Sequence, residues 1–259
     1  LEQLCGPLCD AVLGIAPDCV GSDSYSRLIL EELDHANLFV LPVDTARRWF
    51  RYHPLFRAFL RERLERERPD DQATLQRRAG AWYAQERQYD QAIAHALAAG
   101  DPAWAAELIA AGAVATIARG EYATLRGWLD QMPEPICDRR PELWLWRAWT
   151  ALFSGAIEQI EPALQRAAQA WPEAEQRQYA GQAAHLRAHL ARLRGDAQGA
   201  IAAATEALAV LPADQPALRA GSLLALGVGL FARGDRATAV ATLTAALEAC
   251  RINNHLGEL

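Results

Sequence analysis

Leu223-Leu224-Ala225-Leu226-Gly227-Val228-Gly229-Leu230-Phe231-Ala232-Arg233-Gly234-Asp235 carries the reading that decides the fold. Small and large apolar residues recur at helical spacing, a glycine closes the run, and an aspartate opens the next. The same punctuation stands at Gly195-Asp196 and, with alanine in place of aspartate, at Gly155-Ala156, at intervals of 40 and 39 residues. A period in this range, built from alanine-rich amphipathic segments, predicts an α-solenoid of stacked helical hairpins. Solenoids present a long surface to another molecule, so the chain reads first as a recognition module.

The order of signals before residue 68 differs. Leu4–Leu13 and Ser26–Leu33 read as short helices, the second preceded by capping candidates Ser22, Asp23 and Ser24. The runs Leu38–Leu41 and Arg48–Tyr52 read as two strands, and Pro54 opens a helix to Glu67 with Leu55, Phe56, Phe59, Leu60 and Leu64 on one face. Helix, helix, hairpin, helix is the order of a winged-helix-type domain. The expected fold class is therefore mostly α: a small winged-helix-type domain over 1–68, helical linker hairpins over 69–135, and tetratricopeptide-like repeats over 136–259 forming an α-α superhelix. In the last repeat the packing positions fall on Leu223, Leu226, Gly227 and Leu230, then on Ala239, Leu243 and Ala246. Arg187 occupies a usually apolar position in the repeat before. A Pro133-Glu134-Pro135 break separates helices, and Asn253-Asn254 is expected to start another. The chain begins without methionine and reads as a piece of a longer protein.

Composition narrows the classes. Of 259 residues 51% are hydrophobic, the net charge is −6, and all 26 basic residues are arginine. An acidic chain is a poor phosphate binder as a whole. Eight arginines against three glutamates between Arg47 and Arg68 leave a local excess of five, either a phosphate-binding patch or a solvated helix face. Five cysteines, Cys5, Cys9, Cys19, Cys137 and Cys250, lack a paired framework and zinc spacing, which predicts reduced, partly buried thiols and a cytoplasmic setting. The longest apolar run, Leu108–Ala118, is shorter than the roughly 20 residues of a membrane span. No nucleophile–base set or paired carboxylate spacing appears, so no catalytic residue is expected and the chain is not read as an enzyme.

Two stretches go beyond a generic repeat: Leu30-Glu31-Glu32-Leu33-Asp34-His35-Ala36-Asn37-Leu38-Phe39-Val40-Leu41-Pro42-Val43-Asp44, and Arg51-Tyr52-His53-Pro54-Leu55-Phe56. They resemble the winged-helix segment of MalT-like, ATP-dependent LuxR-family transcriptional regulators of the STAND class. Ala79-Gly80-Ala81-Trp82-Tyr83, Ala92–Leu97, Gly120-Glu121 and Trp128-Leu129 are similar to the first solenoid helices of that family. The resemblance implies a parent with an ATPase domain before the winged helix and a DNA-binding domain after the solenoid. Neither motif set is present, and a chain without lysine cannot supply a P-loop ammonium. The piece is thus expected to need no cofactor itself, although the parent would use ATP and ADP. It would touch neither DNA nor membrane, and the parent would self-associate when activated.

The resemblance also implies that His53 contacts the phosphate of bound ADP in the intact parent; a helix N-terminus suits an anion there, and packing in the turn is the competing role. Projection onto tetratricopeptide hairpins gives an effector or partner groove: Trp149 from one repeat, Gln182, His185, His189 and Arg192 from the next, and Phe231 from the third. Such a mixture suits a small-molecule inducer or a protein partner, against an ordinary polar surface. His185 and His189 at i, i+4 match half a zinc site without a third ligand, so no metal is expected. Trp144, also on the Trp149 helix, is expected in the core. Three functions remain: regulator module, plain repeat scaffold for protein partners, and accessory module of a signalling enzyme.

Overall fold

The computed structural model describes residues 1–15, 24–172 and 176–256. Among them are fourteen α-helices and a single two-stranded antiparallel sheet. The chain divides into two compact units, Leu1–Gly112 and Ala113–Leu259.

In the first unit, α1 (Gly6–Leu13) and α2 (Tyr25–His35) precede β1 (Val40–Pro42) and β2 (Phe50–Tyr52), and α3 (Pro54–Glu67) follows. Ser24 caps α2 by accepting from Arg27 N at 3.3 Å, while Ser22 and Asp23 lie outside the described residues. The predicted first helix starts later than Leu4, because Leu4 joins the sheet instead. It exchanges two 2.8 Å backbone hydrogen bonds with Phe50 and so adds a bridge on the edge of β2. Leu4, Leu30, Val40 and Phe50 form the buried centre, with Cys9, Leu33 and Tyr52 against it. The expected apolar face of α3 needs correction: Leu55 and Phe59 are 78% and 53% exposed, and none of its residues is fully buried. The hairpin helices α4 (Asp71–Gln85) and α5 (Tyr89–Ala98) complete this unit, with α1 packed on α4. Helix α6 (Pro102–Ala118), whose Trp104 N is capped by Asp101 at 3.0 Å, runs across the division between units.

The second unit continues with α7 (Tyr122–Asp130) and a one-turn helix α8 (Glu134–Cys137), which fills what the sequence reads as a plain proline break. Three antiparallel hairpins follow: α9 (Pro141–Ser154) with α10 (Ile160–Ala170), α11 (Gln176–Leu193) with α12 (Ala197–Val210), and α13 (Pro216–Arg233) with α14 (Arg236–Leu256). A single 3₁₀ turn, Ile157–Gln159, leads into α10. Helix α14 runs on to Leu256, so Asn253-Asn254 continues a helix rather than starting one. The first helices are neighbours: α11 touches both α9 and α13.

The turn chemistry follows the sequence. Gly195 and Gly234 take φ of 72° and 94°, a region costly for residues with Cβ. Asp196 then accepts from Gly199 N at 2.9 Å and Asp235 from Thr238 N at 3.2 Å. Asp196→Ala is expected to lower stability by about 1 kcal/mol, the usual value of such a cap; an unchanged urea midpoint would remove the cap from the argument. Gly227 lets α13 and α14 come close, since a Cβ there would lie 2.7 Å from Leu243 Cγ. Arg187 is tolerated at its usually apolar position because Glu161 on α10 accepts from its Nε and Nη2 at 3.0–3.3 Å.

Candidate functional site

The arginine-rich stretch is largely neutralised. Arg47, Arg48, Arg57, Arg61, Arg63 and Arg68 pair with Asp34, Asp44, Glu2, Glu65, Glu67 and Asp71 at 3.0–3.9 Å. Each exposed pair adds little stability, but the four partners from outside the stretch, Glu2, Asp34, Asp44 and Asp71, cut its excess from five to one. The solvated-face reading fits this geometry.

His53 ends up presented rather than packed. The β2 hairpin delivers it to the N-cap of α3, where its backbone N–H donates to Phe39 O at 2.7 Å and its carbonyl accepts from Arg57 N at 2.9 Å. Its side chain is exposed and makes no capping bond, and Pro54 fills the first helical position. The first-turn amides of α3 therefore retain a partial positive field with an imidazole beside it. Phe39 holds φ at 60°, an uncommon conformation for a bulky residue. Its exposed ring stacks on Phe56 at 5.1 Å, and Phe56 stacks on Phe59 at 6.4 Å. An aromatic strip thus flanks His53.

A cavity of about 1050 Å³ in the same unit was not foreseen from the sequence. Its walls include Trp49, Tyr52, Gln76, Tyr83 and His95. His95 Nδ1 is hydrogen-bonded to Gln76 Oε1, its ring stacks on Tyr83 at 5.4 Å, and burial pushes its pKa down. Burial raises the thiol pKa of Cys5 and takes that of Cys9 up to about 12; Cys137 is also raised. With Cys250 they are free thiols, the first three held protonated; Cys19 lies outside the described residues.

In the second unit the structure brings together Trp149, His185 and His189. Trp149 lies 5.1 Å from the His185 ring, and the two imidazoles lie 4.7 Å apart. Upstream, Trp149 stacks on Phe153 at 5.8 Å and Phe153 on Tyr122 at 4.1 Å, so a column of rings links α7, α9 and α11. The projected groove needs one correction. His185 is only 2% exposed and sits in the seam between α11 and α13, offering no free surface. Ser222 Oγ donates its single proton to Leu218 O at 2.9 Å, so the 2.9 Å contact with His185 has imidazole Nδ1–H as donor. Gly221 makes room for the pair: a Cβ there would stand 2.7 Å from His185 Cε1 and 3.2 Å from His189 Nε2. Burial first, then His189, lowers the His185 pKa to about 3; burial first, then Arg192, lowers His189 to about 4. Both rings are neutral near pH 7.

Gln182 is half-buried on the same helix, and Arg192 stands one turn beyond His189 with a buried Nε. Phe231 is 60% exposed on α13 and joins no ring contact among the described residues. Trp144 is buried as expected, its Nε1 donating to Asp138 at 3.1 Å between the guanidinium groups of Arg147 and Arg166. Among the described residues no group of three or more His, Cys, Asp or Glu could hold a metal ion, and no helix is long and apolar enough to cross a membrane.

A small winged helix followed by stacked helical hairpins defines a winged-helix and α-solenoid class of protein. Residues 1–72 match the family described as the MalT winged helix domain. The chain is 32% identical over 195 residues to the HTH-type transcriptional regulator MalT of Yersinia pestis, covering 74% of this chain and 22% of that one. It is 35% identical over 194 residues to the serine/threonine-protein kinase PknK of Mycobacterium tuberculosis, and equally to that of Mycobacterium bovis, covering 72% of this chain and 17% of theirs. The chain thus spans about a fifth of the length of these curated relatives. No solved structure matches. The resemblance to MalT-like regulators therefore holds at the winged helix and over most of the chain.

Proposed function

We propose that this chain is the regulatory middle of a MalT-like bacterial transcriptional regulator acting in the cytoplasm. Its winged helix holds a resting, nucleotide-bound state. Its tetratricopeptide-like hairpins receive an inducer or a partner and bias the parent toward an open, self-associating form that acts through LuxR-type DNA binding. The observation that supports this most is His53, uncapped and exposed at the N-terminus of α3, within the segment matched to the MalT winged helix.

Local features of α3 support a phosphate of ADP at this place. The imidazole is unengaged, the first-turn amides point outward, and no carboxylate of α3's first turn opposes an anion. In the parent, His53 would donate a hydrogen bond to a phosphate oxygen while α3 supplies its positive end. His53→Ala is expected to speed ADP release about tenfold or more, the scale of a charged hydrogen bond, and to raise basal transcription. An unchanged ADP off-rate and unchanged basal output would reject the role. The isolated chain should show no ATP turnover.

A second reading has its own support. The similarity to PknK, named a serine/threonine-protein kinase, suits an accessory sensing module of a signalling enzyme. The two readings share the module and differ in its output. Fusion of the chain's parent to a transcription reporter, run beside a phosphotransfer assay, separates them.

A further inference from the structure

We propose that the cavity of the first unit binds an uncharged organic molecule with a flat apolar body and one amide-like group. The inference goes beyond the reading above, because it concerns neither His53 nor the hairpins of the second unit.

The space beside α3 is the starting point. About 1050 Å³ stands open among α1, α2, β2, α3, α4 and α5, whereas protein interiors are ordinarily filled to the density of organic crystals. That volume suits a small-molecule pocket. Its origin is local. Helix α3 has fourteen residues and buries none of them fully, while its Leu60 and Leu64 border the gap half-buried. On the other walls Ala79 of α4 and Ala94 and Ala98 of α5 supply only methyl groups. Helices in proteins are held mainly by the packing of an apolar face, and an occupant of this space would give α3 the packing it lacks.

The walls differ in character. Val12, Leu30, Leu33, Trp49 and Tyr52 join the α3 leucines as apolar and aromatic surface. The α4–α5 hairpin adds neutral polar groups instead: Gln72, Gln76, Gln88, Gln91 and His95. All five are half-buried or exposed, so a ligand can reach them. Gln76 and His95 bond to each other, and the other three side chains have no partner among the described residues. A carboxamide offers both donor and acceptor, and neutral His95, donating Nδ1–H to Gln76, keeps Nε2 as an acceptor. An amide or lactam edge presents the matching donor and acceptor.

Charge points the same way. The charged side chains on the wall are two arginines and two glutamates, and they pair: Arg57 with Glu2 at 3.8 Å and Arg61 with Glu65 at 3.2 Å. The positive form of the Leu1 amino group is disfavoured by burial first and then by Arg57 and Arg61. A charged ligand would leave water for a site without a free counter-charge, which an uncharged one is spared.

The test titrates the whole chain at constant ionic strength with 1-naphthamide, naphthalene and 1-naphthoate, one body carrying an amide, nothing or a charge. Saturable NMR shifts of the Trp49 indole and His95 imidazole are expected with 1-naphthamide, with slower amide hydrogen exchange along α3. Calorimetry should find 1-naphthoate bound about tenfold or more weaker. Gln76→Ala should weaken 1-naphthamide about fivefold, the scale of one neutral hydrogen bond, and spare naphthalene. Ala58→Trp and Ala94→Trp fill the space from two walls at exposed positions. Each should abolish binding without lowering the melting temperature. Absence of a saturable shift, or unchanged affinity in both folded tryptophan variants, overturns the cavity as a binding site. Equal affinity for 1-naphthoate overturns the uncharged class, and equal affinity for naphthalene overturns the polar wall. Binding that disappears in the intact parent would show the space filled by the parent's own chain, and also overturns the site. An unchanged ADP off-rate in His53→Ala, which rejects the resting-state reading, leaves every one of these outcomes as it is.

Discussion

Lowering the pH from 7 to 5 should weaken the seam between α11 and α13 by up to about 4 kcal/mol, through His185 and His189 alone. The sign follows from their depressed pKa values. An unfolded histidine takes up a proton near pH 6.5, whereas the folded rings resist until about pH 3 and 4. Stability from this pair is therefore complete above pH 6.5 and is lost as pH falls through the window from 6.5 to about 4 for His189 and about 3 for His185. At pH 5 each ring is 1.5 pH units below its unfolded value, or about 2 kcal/mol. Four is a ceiling, because the two rings and Arg192 share one environment.

Carboxylates with lowered values, such as Asp10 and Asp44, contribute stability that disappears only at lower pH, below their ordinary range near 4. The interval from pH 6.5 to 5 therefore isolates the histidines. Hydrogen exchange of the α11 and α13 amides, followed through urea at pH 7 and pH 5, reads the effect. A midpoint that does not move sinks the assignment. So does a loss of equal size in a His185→Asn, His189→Gln double variant.

The fold was legible where the chain signals through its backbone. Gly195 and Gly234 demand positive φ, the aspartates after them cap, and the hairpins stack as the period requires. The winged-helix order was legible too, except that Leu4 left its helical run to bridge Phe50. That bridge pairs residues 46 apart, which no local pattern encodes. Helical projection placed His185 and His189 on one line but could not separate a groove from the seam beside it. Helical spacing tells which residues share a face of α11, not what covers that face. A signal was available in Gly221, because a glycine inside a helix costs about 1 kcal/mol unless something must come close. Here that something is the His185 ring. The cavity between α3 and the α4–α5 hairpin had no signal at all, since it is made by how helices far apart in sequence lean together.

Phe50→Ala should be the most damaging single change in the first unit, at about 3–5 kcal/mol, the usual cost of removing a buried phenyl ring. Phe50 is 1% exposed and touches the few residues that form this core: Leu4, Leu30 and Val40. No residue of α3 is fully buried, so that helix cannot offset the loss. The backbone of Phe50 also carries both hydrogen bonds to Leu4, and a collapsed side-chain site would loosen them. A small domain holds roughly 5–15 kcal/mol in total, so the variant sits near the threshold of unfolding. Phe59→Ala, in the same domain but 53% exposed, should cost under about 1 kcal/mol. Urea unfolding of both variants, read at Trp49, makes the comparison, and equal losses would show that the core is misplaced. The consequence reaches His53, three residues after Phe50 on the same strand-to-helix passage. On the proposed role of His53, Phe50→Ala should release the parent's resting state as His53→Ala would, but with a lowered melting temperature that the histidine variant does not share.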